Sequence, residues 1–166
     1  MLLPRSLLAA VLLCPALAAA QSTLAATPVS VRLQSFSVIV PDYDEAKAWY
    51  MEKLGFVVLR DQRFGQDERF IQVAPAADAP VSIVLQKARM APSPSEPAMP
   101  TDYSDRIGKT TNIVLRVSDV TAYARTLEQR GVTLTAPPRQ MPWGGQATFK
   151  DLYGNSFVIV GPLTAR

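Results

Sequence analysis

The chain carries the same succession of elements twice, and that repeat limits its fold more than any single motif does. Residues 33–40 alternate or run apolar as a strand, and Pro41-Asp42 then opens a stretch at 43–54 with Ala46, Trp49, Tyr50 and Leu54 at helical spacing. Asp42 is placed to cap the first turn, Glu45 three residues on to reach back to it, and Gly55 to end the helix in a left-handed conformation. The second half repeats the plan with a strand at 112–117, a Ser118-Asp119 cap, a helix face of Val120, Tyr123, Ala124 and Leu127, and Gly131 before Val132. The offset from Gly55 to Gly131 is too long for a solenoid repeat and suits a duplicated module.

Each half continues with three strand-like stretches between turn residues. In the first they are 56–64, 68–74 and 80–87, with Gly65-Gln66-Asp67 and Ala76-Ala77-Asp78 as turns; in the second they are 132–139, 146–150 and 156–160, with turns at 142–145 and 151–155. The expected fold is therefore α+β, with two βαβββ modules at 33–87 and 110–162. Between them, 88–109 contains Pro92, Pro94, Pro97 and Pro100, which reads as an extended linker or as a lid over a pocket.

The amino terminus reads as an export signal. Arg5 precedes an apolar run at 7–13, and Pro15 leads into Ala18-Ala19-Ala20, a small-residue cleavage pattern that places the cut before Gln21. Residues 1–20 are then the leader, 21–32 an N-terminal extension, and the destination periplasmic or secreted. The apolar core is well short of the ~20 residues a spanning helix needs, which argues against an uncleaved anchor and against stable membrane insertion after cleavage. Cys14, the single cysteine, lies in the leader behind Leu13, so the mature chain needs no disulfide.

Charge excludes another class. The formal net charge is +3 and no basic run stands out, while Arg60, Arg63 and Arg69 are interleaved with Asp61, Asp67 and Glu68. A nucleic-acid surface would show a basic stripe; this segment reads as a solvated mixed face. The complete absence of histidine removes the usual general base and the commonest zinc ligand together.

The run FSVIVPD at 36–42, the Trp49-Tyr50 helix ending in Leu54-Gly55-Phe56, Trp143-Gly144, and FKDLYGN at 149–155 resemble, in their order and spacing, the vicinal oxygen chelate superfamily. That superfamily includes glyoxalases, extradiol dioxygenases and bleomycin-resistance proteins. The resemblance implies paired modules whose sheets curl into an open, mixed sheet around a small-molecule cavity, often in a homodimer. Strand parity assigns faces: Phe36, Val38 and Val40 go to the helix side and Ser35, Ser37 and Ile39 away from it. By the same rule Ile113, Leu115 and Val117 oppose Asn112, Val114 and Arg116, Val81, Ile83 and Leu85 oppose Ser82, Val84 and Gln86, and Phe157 and Ile159 oppose Ser156, Val158 and Val160.

The family's metal-binding members place histidine or glutamate on the first, fourth, fifth and last strands. The matching residues are Ser35, Val84 (Gln86 if the register slips), Asn112 and Val158. None is a ligand that zinc, iron or manganese favours, so no metal and no other cofactor is expected. Candidate ligand-binding residues are Ser35, Ser37, Val84, Gln86, Asn112, Arg116, Trp143 and Val158, with Arg116 able to orient an anion or pair at the sheet rim. Trp49 and Tyr50 belong to packing, and Asp42, Asp119 and Asp151 read as caps and turn formers. The expected function is an exported, metal-independent protein that sequesters or carries a small organic ligand. The alternative is a glyoxalase- or dioxygenase-type lyase or isomerase whose metal is held by atypical ligands.

Overall fold

The structure is a computed structural model, and it describes residues 31–64, 69–89 and 102–163. The leader at 1–20, most of the extension, the Gly65-Gln66-Asp67 turn and the four linker prolines lie outside the described residues. The first module is β1 (Ser35–Val40), α1 (Tyr43–Trp49), β2 (Val57–Arg63), β3 (Arg69–Ala74) and β4 (Ser82–Lys87). The second is β5 (Ile113–Arg116), α2 (Val120–Gln129), β6 (Leu134–Met141), β7 (Gly144–Lys150) and β8 (Ser156–Gly161). Each forms a four-stranded mixed sheet, ordered β1-β4-β3-β2 and β5-β8-β7-β6, and no closed barrel forms among the described residues. β1 pairs parallel with β4 and β5 with β8, while the remaining pairs are antiparallel.

Local signals account for the helix ends. Asp42 Oδ1 accepts from the N–H groups of Asp44 and Glu45, both at 2.9 Å, and Asp119 Oδ1 from Ala122 at 3.0 Å. Gly55 and Gly131 take φ of 73° and 80°, a region that costs a side chain energy. Two expectations change in detail. Glu45 does not close the capping box; its carboxylate accepts from the Tyr153 hydroxyl of the second module at 2.9 Å. The expected helix at 43–54 leaves α geometry at Tyr50, and a π-helical turn covers Tyr50–Leu54. A wider turn removes the rotation an α-helix accumulates over successive i+4 steps, so Ala46, Tyr50 and Leu54 all remain on the buried side.

Strand ends shift as well. The turn expected at 142–145 shrinks to Pro142-Trp143, because β6 runs on to Met141 and β7 begins at Gly144. Pro137 and Pro138 sit within β6 where its register with β7 slips, which is tolerated because β6 is an edge strand. The charged stretch around β2 and β3 is more than a solvated face. Arg69 forks onto both oxygens of Asp61 at 2.6 and 2.7 Å and reaches Asp44 at 2.9 Å, while Lys47 meets Asp61 at 2.8 Å, tying α1 to β2 and β3.

The helix-side faces of both sheets merge into one core. Val38, Val40, Tyr50, Ile71 and Leu85 of the first module join Val120, Leu127, Phe149, Phe157 and Ile159 of the second. Phe149 and Phe157 stack at 4.9 Å, and Tyr50 packs edge-on to Phe157 at 6.2 Å across the module boundary. Beside these rings the Tyr50 hydroxyl donates to Asp151 Oδ2 at 2.9 Å. Asp151 also accepts from the Asn155 amide side chain and from the N–H groups of Tyr153 and Asn155. Every donor here is matched, so the buried polar cluster holds the modules in one relation. No described helix is long and apolar enough to cross a membrane.

Candidate ligand-binding site

β1 and β5 are both outer strands of their sheets, and the space between the modules runs past them. One cavity there, about 480 Å³ and half-open, is bounded by Ile113, Val114, Leu115 and Arg116 of β5 and by Val117 just after it. Phe36 and Ile83 form its wall on the first sheet, Leu54 and Phe56 come from the end of the first helix, and Tyr123 from α2 closes one side. The Tyr123 hydroxyl donates to the Leu54 carbonyl at 3.1 Å, and burial raises its pKa, so the phenol is engaged and neutral. Among the described residues, Arg116 is the only charged residue that lines this cavity.

Two smaller hollows continue the seam. One, about 440 Å³, shares Phe36, Ile113 and Val114 with the first and adds Leu33, Ser37, Thr110, Thr111 and Asn112. The other, about 460 Å³, is lined by Ser37, Ile39, Gln86, Tyr103, Arg106, Lys109 and Thr110. The structure thus brings Ser37 together with Asn112 in one hollow and with Gln86 in the next, and places Arg116 in the larger cavity. Ser35, Val84 and Val158 line none of the three. Ser35 sits opposite Ser82 on β4, Val84 opposite Ser37, and Val158 opposite Val114. Trp143 is 66% exposed at the β6–β7 turn, where its indole N–H donates to Gln146 at 3.2 Å.

Sequence reasoning missed the helix-side walls. Phe36, Ile83, Ile113, Leu115 and Val117 carry the apolar parity of packed residues, yet they also border the cavity, together with Leu54, Phe56 and Tyr123. It also missed the second role of Asp151, which forms its turn as expected and in addition receives the buried Tyr50 hydroxyl. Burial and that carboxylate push the Tyr50 pKa well above the ordinary phenol value.

A metal does not fit. The four strand positions offer a hydroxyl, an aliphatic chain or an amide, an amide, and an aliphatic chain, and the chain has no histidine. Among the described residues no three of His, Cys, Asp or Glu come together.

Residues 32–159 match the Glyoxalase/Bleomycin resistance protein/Dioxygenase superfamily over most of both modules. The chain belongs to this superfamily. TnmS3, an antibiotic binding protein from Streptomyces sp. CB03234, is 35% identical, with a TM-score of 0.64 over 82% of this chain and 99% of that one. A glyoxalase/bleomycin resistance protein from the same Streptomyces is 36% identical, with a TM-score of 0.58 over 77% of this chain and 98% of its own. An uncharacterized protein of Shewanella frigidimarina is 30% identical over 120 residues, 72% of this chain and 84% of that protein. Within the superfamily, this chain keeps the paired modules and lacks the metal donors.

Proposed function

We propose that the protein binds a small organic molecule between its modules and carries or sequesters it without transforming it, after export to the periplasm or beyond. The observation that carries this reading is the 480 Å³ cavity, walled by aliphatic and aromatic side chains with a single cation. That volume and that ratio of apolar wall to polar anchor match small-molecule sites, which run from about 300 to 1,000 Å³. The description of TnmS3 as an antibiotic binding protein supports a small organic ligand. Ser37, Gln86 and Asn112 are assigned to orient the parts of the ligand that extend along the seam. Export rests on the leader pattern ending at Ala20. A homodimer is part of the proposal, supported by the exposed apolar residues Leu59 on β2 and Trp143 in the β6–β7 turn.

Native mass spectrometry of protein recovered from the periplasmic fraction tests the reading, paired with thermal shifts against a panel of amphiphilic aromatic antibiotics. The expected result is a stoichiometric organic adduct, and a stabilisation of about 2.7 kcal/mol at a hundredfold excess over Kd, unchanged by exhaustive chelation. One dication per chain together with metal-dependent turnover overturns it.

A further inference from the structure

Resting on that reading, we propose that the ligand of the large cavity is an amphiphilic anion, an apolar body ending in a carboxylate, anchored by Arg116. Of the described residues that line the cavity, only Arg116 and Tyr123 carry polar side-chain atoms, and the Tyr123 hydroxyl is already committed to Leu54. Arg116 is exposed, and its guanidinium makes no hydrogen bond or ion pair among the described residues, whereas Lys47, Arg69 and Arg89 each meet an aspartate. A planar fork of donors at the edge of an apolar wall selects a carboxylate by geometry as well as by charge.

A cationic ligand would meet Arg116 with no carboxylate in the lining to offset it. A neutral one would leave the guanidinium to water.

Calorimetric titration of the mature protein with decanoate, decanol and decyltrimethylammonium holds the tail constant and varies the head. Decanoate is expected to bind one per chain at least tenfold more tightly than decanol, with the ammonium undetectable. Arg116→Gln is expected to abolish the preference for decanoate over decanol. Ala79→Trp, which puts a bulky side chain into the lining, is expected to weaken both. Equal affinity for decanoate and decanol, an unchanged Arg116→Gln variant, or decanoate binding indifferent to Ala79→Trp overturns the inference. If the amphiphiles fail while an antibiotic of the panel binds, the anion inference falls and the binding function stands; if nothing binds, both fall.

Discussion

Replacing Tyr50 by phenylalanine removes one oxygen from the junction between the modules and nothing else. The ring stays in place against Trp49, Phe56 and Phe157, with centroids 5.4, 5.9 and 6.2 Å away, so no cavity is created. What is lost is the 2.9 Å hydrogen bond to Asp151, in a site where both side chains are under 10% exposed. Hydrogen bonds to charged groups are worth about 1.5–3 kcal/mol, and that is the expected cost of Tyr50→Phe. Asp151→Ala strips partners from Tyr50, Asn155 and two backbone N–H groups and should cost more, about 3 kcal/mol or above. Because the two changes remove the same bond, the double variant should fall short of their sum by about 1–2 kcal/mol. Urea unfolding, followed by tryptophan fluorescence and far-ultraviolet dichroism, measures all three. Tyr50→Phe within about 0.5 kcal/mol of the parent, with additive costs in the double variant, refutes the claim that this bond ties the modules.

The same burial makes an alkaline prediction. The Tyr50 pKa is raised in the folded chain, so its contribution is complete below about pH 10, where an unfolded tyrosine is still neutral, and is lost as pH rises beyond that; Tyr50→Phe should flatten the loss of stability between pH 10 and 12. At the other end, Arg69 and Lys47 hold the Asp61 carboxyl far below its ordinary value. That contribution is present above about pH 4 and fades as pH falls, and Asp61→Asn should remove part of the acid sensitivity at a cost of about 1 kcal/mol near neutrality. Gly161→Ala would drive its Cβ into the Val117 carbonyl beside the cavity, and should cost about 1–3 kcal/mol and weaken ligand binding, read by melting temperature and titration.

What could be read from the sequence was whatever short segments decide alone. Asp42 and Asp119 cap their helices, Gly55 and Gly131 end theirs or the turn that follows, and strand parity sorts Val38, Ile83, Ile159 and Phe157 to the buried side, because each outcome depends on a few neighbouring residues. The paired arrangement of the modules needed the resemblance, since no local pattern states that β1 runs parallel to β4. The use of Glu45 by Tyr153 and the Tyr50–Asp151 bond depend on residues 108 and 101 positions away.

The cavity was hidden for a related reason. Period-two patterning says that Phe36, Ile113, Leu115 and Val117 turn toward the helices, but not whether a helix fills the space above them. α2 places Val120, Ala124 and Leu127 in the shared core, and the first helix places Tyr50 there, where Phe149, Phe157 and Ile159 complete the packing. Toward the outer edge of β5 the helices supply only Tyr123, Leu54 and Phe56, and the wall residues are left facing open volume. An apolar parity therefore encodes two destinies, core where the opposite element reaches and ligand wall where it stops short.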